Sequence, residues 1–217
     1  MRPGIHRTVL SAVLVVAFAT AALAGPPLLC HPYDIGNARS LPWDGSRGWS
    51  SEQPDYRLEN LIADTEALLT PSMPVIVRME TLRRASLYAS RDRTIASQLL
   101  TRFLSRANAA SASGTPDALA LLDAAYIAGA FRQISLLENS AGFRERAAAA
   151  RQALGTTDAY ALIQRSIAAR PDDASIQFAA ALIAADRDRG AYLRHAERAR
   201  KGVTTDALLA RNIDHVS

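Results

Sequence analysis

From Asp55 onward, apolar positions recur every three or four residues, the spacing of one face of an α-helix. Leu58, Leu61, Ile62, Thr65 and Leu69 form a first stripe, and Pro71 and Pro74 then reset the direction. A second helix over about 73–89 turns Ile76, Met79, Leu82 and Ala85 inward. Asp92 can cap a third, carrying Ile95, Leu99, Phe103 and Ala107, which dies in the small residues of 109–114. Thr115-Pro116-Asp117 reads as a capping hydroxyl, a proline at the first helical position and an acid near the positive helix end. The fourth helix that follows presents Leu119, Leu122, Tyr126, Phe131 and Ile134. A fifth over about 143–154 closes at Gly155, and a sixth runs from Thr157-Asp158 to Arg170-Pro171. Asp172-Asp173 opens a seventh with Ile176, Ala180 and Ile183, an eighth spans about 190–201, and Thr205-Asp206 starts a short last one.

The first 54 residues follow another pattern. Arg2, His6 and Arg7 precede 17 apolar or small residues, 8–24, that end in Ala22-Leu23-Ala24, the layout of a secretion signal cleaved before Gly25. Seventeen residues fall short of the roughly 20 that span a bilayer, so an uncleaved N-terminal anchor is the second reading. Either one places the body outside the cytoplasm, in the periplasm or beyond. Lipidation of Cys30 is disfavoured by Leu29 in the position before it.

Residues 25–54 contain five of the ten prolines and four of the eleven glycines, so no useful helix fits there. Yet Leu28, Leu29, Tyr33, Ile35, Leu41, Trp43 and Trp49 are too apolar for a solvated linker. The pattern predicts an extended arm lying on a helical body of residues 55–217, its leucines and tryptophans buried.

Composition agrees with an all-α class: 49% of residues are hydrophobic, many of them alanine, and only 6% are aromatic. The formal charge of +4 overstates the basic character. Of 25 Lys and Arg, Arg2 and Arg7 leave with the signal, and the remaining 23 face 21 acids, a net of +2. That balance is too even for a nucleic-acid footprint. No later segment is apolar enough to span a membrane, so the mature chain is expected to have no transmembrane domain.

Helix starts of the form Asp-Ala recur at Asp117, Asp158, Asp173 and Asp206, the last two 33 residues apart. The second half resembles the tetratricopeptide family in layout, with Ala159, Ile163 and Pro171 at its small, large and proline positions, although the next unit fits only when slid by several residues. The fold implied is a degenerate array of antiparallel helix hairpins. Over most of its length the chain is also similar to exported bacterial proteins of no assigned activity. The likeness is carried by Cys30-His31-Pro32 through Trp43 and by Pro74 through Ala85. It implies membership of that group and no catalytic role.

Reactive side chains crowd together in one place, where Cys30, His31 and Asp34 supply a thiol, an imidazole and a carboxylate within five residues. With His195 or His215 they form a candidate copper or zinc set, although paired ligands at the usual two-to-four spacing are missing. Neighbouring side chains of an extended segment also point to opposite faces, which hinders both joint ligation and a Cys30–His31 nucleophile–base dyad. Buried packing of Cys30, or pairing of a lone exported thiol between chains, is the simpler expectation. His195 reads equally well as a surface residue. Asp186-Arg187-Asp188 with Glu197 imitates a calcium loop but has Ala191 where glycine belongs, so a charged turn is expected. Arg78, Arg83, Arg84, Arg91 and Arg93, interleaved with Glu80 and Asp92, read as a solvated, partly paired face.

Hydrolase, metalloprotease, phosphate-loop and dinucleotide fingerprints are absent from the sequence. The reading is therefore a non-catalytic exported scaffold for a peptide or protein partner, with Tyr126, Tyr160 and Tyr192 as candidate contacts. No cofactor is implied. The alternative is a small metal, ligand or redox site built around Cys30 and His31.

Overall fold

Helix starts in this chain are set by aspartate. In the computed structural model, which describes residues 26–46, 48–112, 114 and 117–216, Asp117, Asp158, Asp173 and Asp206 each sit in extended backbone. Each side chain accepts the backbone N–H groups two and three residues on. Such a cap is worth about 1 kcal/mol. The recurring Asp-Ala starts thus have a local chemical cause. Asp117 is itself the N-cap of its helix, with Ala118 the first helical residue. Thr115 and Pro116 of the expected start signal lie outside the described residues, as do the signal sequence and its cleavage point.

The described residues form an all-α array with no strand: α1 Leu61–Leu68, α2 Val75–Ala89, α3 Arg93–Ala112, α4 Ala118–Ser135, α5 Arg144–Leu154, α6 Ala159–Ala169, α7 Ala174–Ala184, α8 Arg189–Arg200 and α9 Ala207–Asn212. Short 3-10 turns at Leu58–Asn60 and Ile213–Val216 precede α1 and follow α9. None of these helices is long and apolar enough to cross a membrane. Helix α4 packs against α2, α3, α5, α6 and α7, and α7 packs against α8.

One-sided stripes understate this burial. Every residue of α2 except Arg84 is buried, and α7 is buried throughout after Ala174. In α4 the stripe Leu119, Leu122, Tyr126, Phe131 and Ile134 is buried, and so is most of the opposite face. A helix buried all round needs cover on every side. For α2 and α4 part of that cover is the N-terminal arm, whose described residues between Pro26 and Arg57 form no helix.

Leu28, Leu29 and Leu41 of the arm are fully buried, with Tyr33 and Ile35 nearly so. Trp43 and Trp49 differ from expectation, for they are only half-buried. Trp43 lies edge-on to Tyr88 at 6.0 Å with the Arg83 guanidinium 4.9 Å from its ring, and Trp49 lies 5.2 Å from Phe143. Trp43 thus roofs over the Arg83 guanidinium, an arrangement suited to an amphipathic ring, while Trp49 packs on an aromatic neighbour.

Candidate functional site

The two segments singled out in the sequence, Cys30–Trp43 and Pro74–Ala85, meet in space. Helix α2 offers Glu80, Thr81, Arg83, Arg84 and Tyr88 to the arm: Thr81 meets the Ser40 hydroxyl at 3.0 Å, and the other four each bond arm backbone. Glu80 Oε2 accepts the Tyr33 N–H at 3.1 Å. Arg83 Nη1 donates to Leu29 O at 3.0 Å and Trp49 O at 2.8 Å, and Arg84 Nη1 donates to Leu41 O at 2.7 Å. The Tyr88 hydroxyl donates to Pro42 O at 2.9 Å and accepts the Gln53 N–H at 2.8 Å. From α4, Gln133 Oε1 accepts the Leu28 N–H at 2.8 Å, and the Tyr126 hydroxyl lies 3.0 Å from Leu28 O. Asn212 of α9 closes the other end, accepting the Asp34 N–H and donating to Asp34 O. The arm pairs only a few of its backbone groups with itself, as Asp44 N–H with Ser51 O at 2.9 Å, so the other buried ones must find partners elsewhere.

Charge at this joint is balanced locally. Glu80 Oε1 accepts from Arg83 Nη2 and Arg84 Nε, and Oε2 from Arg83 Nε, at 2.7–2.9 Å. Burial alone would raise the Glu80 carboxyl, but Arg83 and Arg84 overcome it and hold it below its ordinary value. A second pair, Arg78 Nη1 on both Asp123 oxygens at 2.8 and 2.7 Å, is equally enclosed. Here burial wins, and Asp123 is pushed up to about 6 against the pull of Arg78. The expected solvated arginine face is therefore corrected: Arg78 and Arg83 are fully buried, and only Arg91 and Arg93 of that set are exposed. Glutamate–arginine spacing at three and four residues is the same on a wet or a dry helix face, and the arm decides which this one is.

The candidate metal residues are divided by the arm. Cys30 is half-buried, and burial pushes its thiol up to about 11, with Arg83 opposing. The exposed Asp34 carboxylate turns to the Gly36 N–H at 2.9 Å and lies 3.9 Å from Arg211. His31 does meet His215, ring centroids 5.7 Å apart, beside Tyr33. His195 lies elsewhere and is buried, its Nδ1 2.7 Å from Gln177 Oε1 and its Nε2 3.0 Å from the Tyr160 hydroxyl. It is thus a bridge between α6, α7 and α8, not a surface residue. Among the described residues no three or more His, Cys, Asp or Glu are grouped so as to hold a metal ion.

A thiol held near 11 makes a poor nucleophile at neutral pH. Alkylation of Cys30 by iodoacetamide at pH 8 is accordingly expected to run at least about tenfold slower in the folded protein than in urea-unfolded chain. Equal rates would contradict the burial described.

The other sequence candidates are absorbed into packing. Tyr126 and Tyr192 are buried, and Tyr160 is half-buried against His195. In the calcium-like loop, Asp186 pairs with Arg132, Arg187 with Asp158, and Asp188 caps α8, the bonding of a charged turn. Sequence reasoning missed Gln133 and Asn212, because nothing local marks an amide as the partner of backbone about 100 residues away or more. It also missed the cavities. The largest described, about 610 Å³, is bordered by the start of α7, the end of α8 and the start of α9, with Asp172, Arg198, Lys201 and Thr205 in its lining.

The fold and the joint together define an all-α helical array latched by an N-terminal arm. Comparison with protein-family models, curated proteins and solved structures finds no match to this chain.

Proposed function

We propose that this protein is an exported, non-catalytic helical scaffold that binds a peptide or protein partner. One observation carries the reading. The polar side chains gathered at the arm joint are engaged with arm backbone and with one another, as Glu80 is through both oxygens. They act as architecture, and at this joint, among the described residues, no acid, base and nucleophile stand free together for a reaction. Helical arrays commonly present their faces to partners. The 610 Å³ cavity at the α7–α9 end has lining groups of both charge signs and suits the main chain of an incoming segment.

The test is native mass spectrometry of the protein from the exported fraction, beside Cys30→Ser and beside a photo-crosslinking residue placed at Arg198. The scaffold reading expects a chain starting at Gly25, no adduct on Cys30, and one discrete crosslinked partner that the Cys30→Ser change leaves in place. A metal or redox adduct that disappears with Cys30→Ser would overturn it in favour of a site at Cys30 and His31.

A further inference from the structure

A second cavity, about 260 Å³, lies where the α1–α2 connection, α2, α3 and the start of α4 converge, closed on one side by Arg170 after α6. It is small beside the roughly 300–1,000 Å³ of drug-sized sites, so its occupant is small. One wall is apolar, formed by Leu69, Leu119 and neighbouring backbone. The remainder is charged, with three guanidiniums facing two carboxylates.

The carboxylates are already satisfied, and the guanidiniums are not. Asp123 holds Arg78 through both oxygens, and Asp117 accepts the N–H groups of Leu119 and Ala120. Arg78 is clamped by Asp123 and by Thr70 O at 2.6 Å, yet its Nε is buried without a hydrogen-bond partner. Arg106 keeps Nη1 without a hydrogen bond, 3.7 Å from Glu66, while stacking 5.2 Å over Phe103. Arg170 is exposed, and its side chain has no partner among the described residues. Buried donors are nearly always bonded in folded proteins, so two orphaned ones in the lining of one cavity point to a missing acceptor.

We infer that this cavity binds a single carboxylate carried on a short apolar stem, from either a free small acid or the C-terminal residue of a peptide. The orphaned donors Arg78 Nε and Arg106 Nη1 take the oxygens, Arg170 adds positive charge at the exposed side, and Leu69 and Leu119 receive the stem. The planar fork of arginine fits a carboxylate in two-point contact. The free-acid form stands independently of the scaffold reading, and the peptide form rests on it.

The experiment is a ¹H–¹⁵N titration of the full mature chain at constant ionic strength, following the Leu119 and Ala120 amides and the Arg78 Nε–Hε signal. The probes are butyrate and a short peptide ending in leucine, with a free or an amidated C-terminus. Saturable shifts with butyrate, or with the free-ended but not the amidated peptide, are expected. Butyrate alone marks a free-acid site, whereas tighter binding of the free-ended peptide marks a chain terminus. Arg170→Gln and Arg106→Gln, both distant from the latched joint, should each weaken binding roughly tenfold, about 1.4 kcal/mol, with thermal melting unchanged. Shifts equal to those from sodium chloride, equal binding of the amidated peptide, or variants that bind like the parent would overturn the assignment. A negative result here leaves the partner scaffold standing, because its own test reads a different face.

Discussion

Glu80→Gln is expected to destabilise the protein by about 3–5 kcal/mol at neutral pH, the usual cost of removing one member of a buried ion pair. The Glu80 and Arg83 side chains are fully buried and Arg84 is 18% exposed, so the loss of one carboxylate leaves the Arg83 guanidinium without its counter-charge or solvent, while Arg84 reaches water only in part. Urea denaturation followed by circular dichroism measures the effect. A shift within about 0.5 kcal/mol, ordinary for a surface site, would show that the network carries no stability. Replacing Arg83 and Arg84 with methionine as well should recover only part of the loss. Their bonds to Leu29 O, Trp49 O and Leu41 O go with them.

The same residue fixes a pH dependence. Glu80 is held below its ordinary value in the fold, and an unfolded glutamate titrates near pH 4.3. A depressed carboxylate stabilises fully above the unfolded value, and that stability is lost as pH falls through the folded one. The gap between the parent and Glu80→Gln should therefore stay flat from about pH 8 to about pH 5 and close at more acid pH. Using the difference removes the opposing contribution of Asp123, whose raised pKa of about 6 favours its protonated form as pH falls. A gap that persists unchanged into strong acid would refute the ion-pair account.

Leu28→Ala should be the next most damaging change, at about 2–5 kcal/mol, because the side chain is fully buried against α4. It reaches that depth because residue 129 is glycine: a Cβ there would stand 3.0 Å from Leu28 Cδ1 and 3.2 Å from Ile183 Cγ1. Alanine at 129 alone sets a helix-propensity gain of about 1 kcal/mol against that crowding. In the Leu28→Ala background the nearest obstacle is gone, and Gly129→Ala should become stabilising. A double-mutant cycle is expected to show at least about 1 kcal/mol of coupling between the two positions. Additive effects would mean that the arm leucine and the glycine do not share a contact.

Local signals made most of the helices legible. Asp158, Asp173 and Asp206 announce their helices by capping, and Pro71 and Pro74 separate α1 from α2 at the expected place. The arm was legible too, since prolines and glycines forbid helix while Leu28 and Leu29 demand burial. What could not be read was α2. Arg78, Glu80, Arg83 and Arg84 look like a wet surface to any rule that stops at helical spacing. They are dry because the arm and α4, distant in sequence, lie over them. Trp43 and Trp49 mislead in the opposite sense: large apolar rings suggest full burial, yet Trp43 lies over the Arg83 guanidinium, Trp49 against Phe143, and both are only half-buried. The 260 Å³ cavity was invisible for the same reason as α2, because Arg78, Arg106, Asp117 and Arg170 are joined only by the fold.

The bond between Asp34 and Asn212 spans 178 residues. In an open stack of helical units each unit touches only its neighbours, and such a stack can unravel from either end. Here an early segment grips the last helix, which at six residues is too short to hold its shape alone. Fraying of α9 would therefore cost the arm its hold at Asp34, which couples the two distant segments. The order of assembly is constrained as well. During synthesis the partners of the arm on α2 and α4 emerge well before Asn212, so the grip at Asp34 is the part of the latch that must close last.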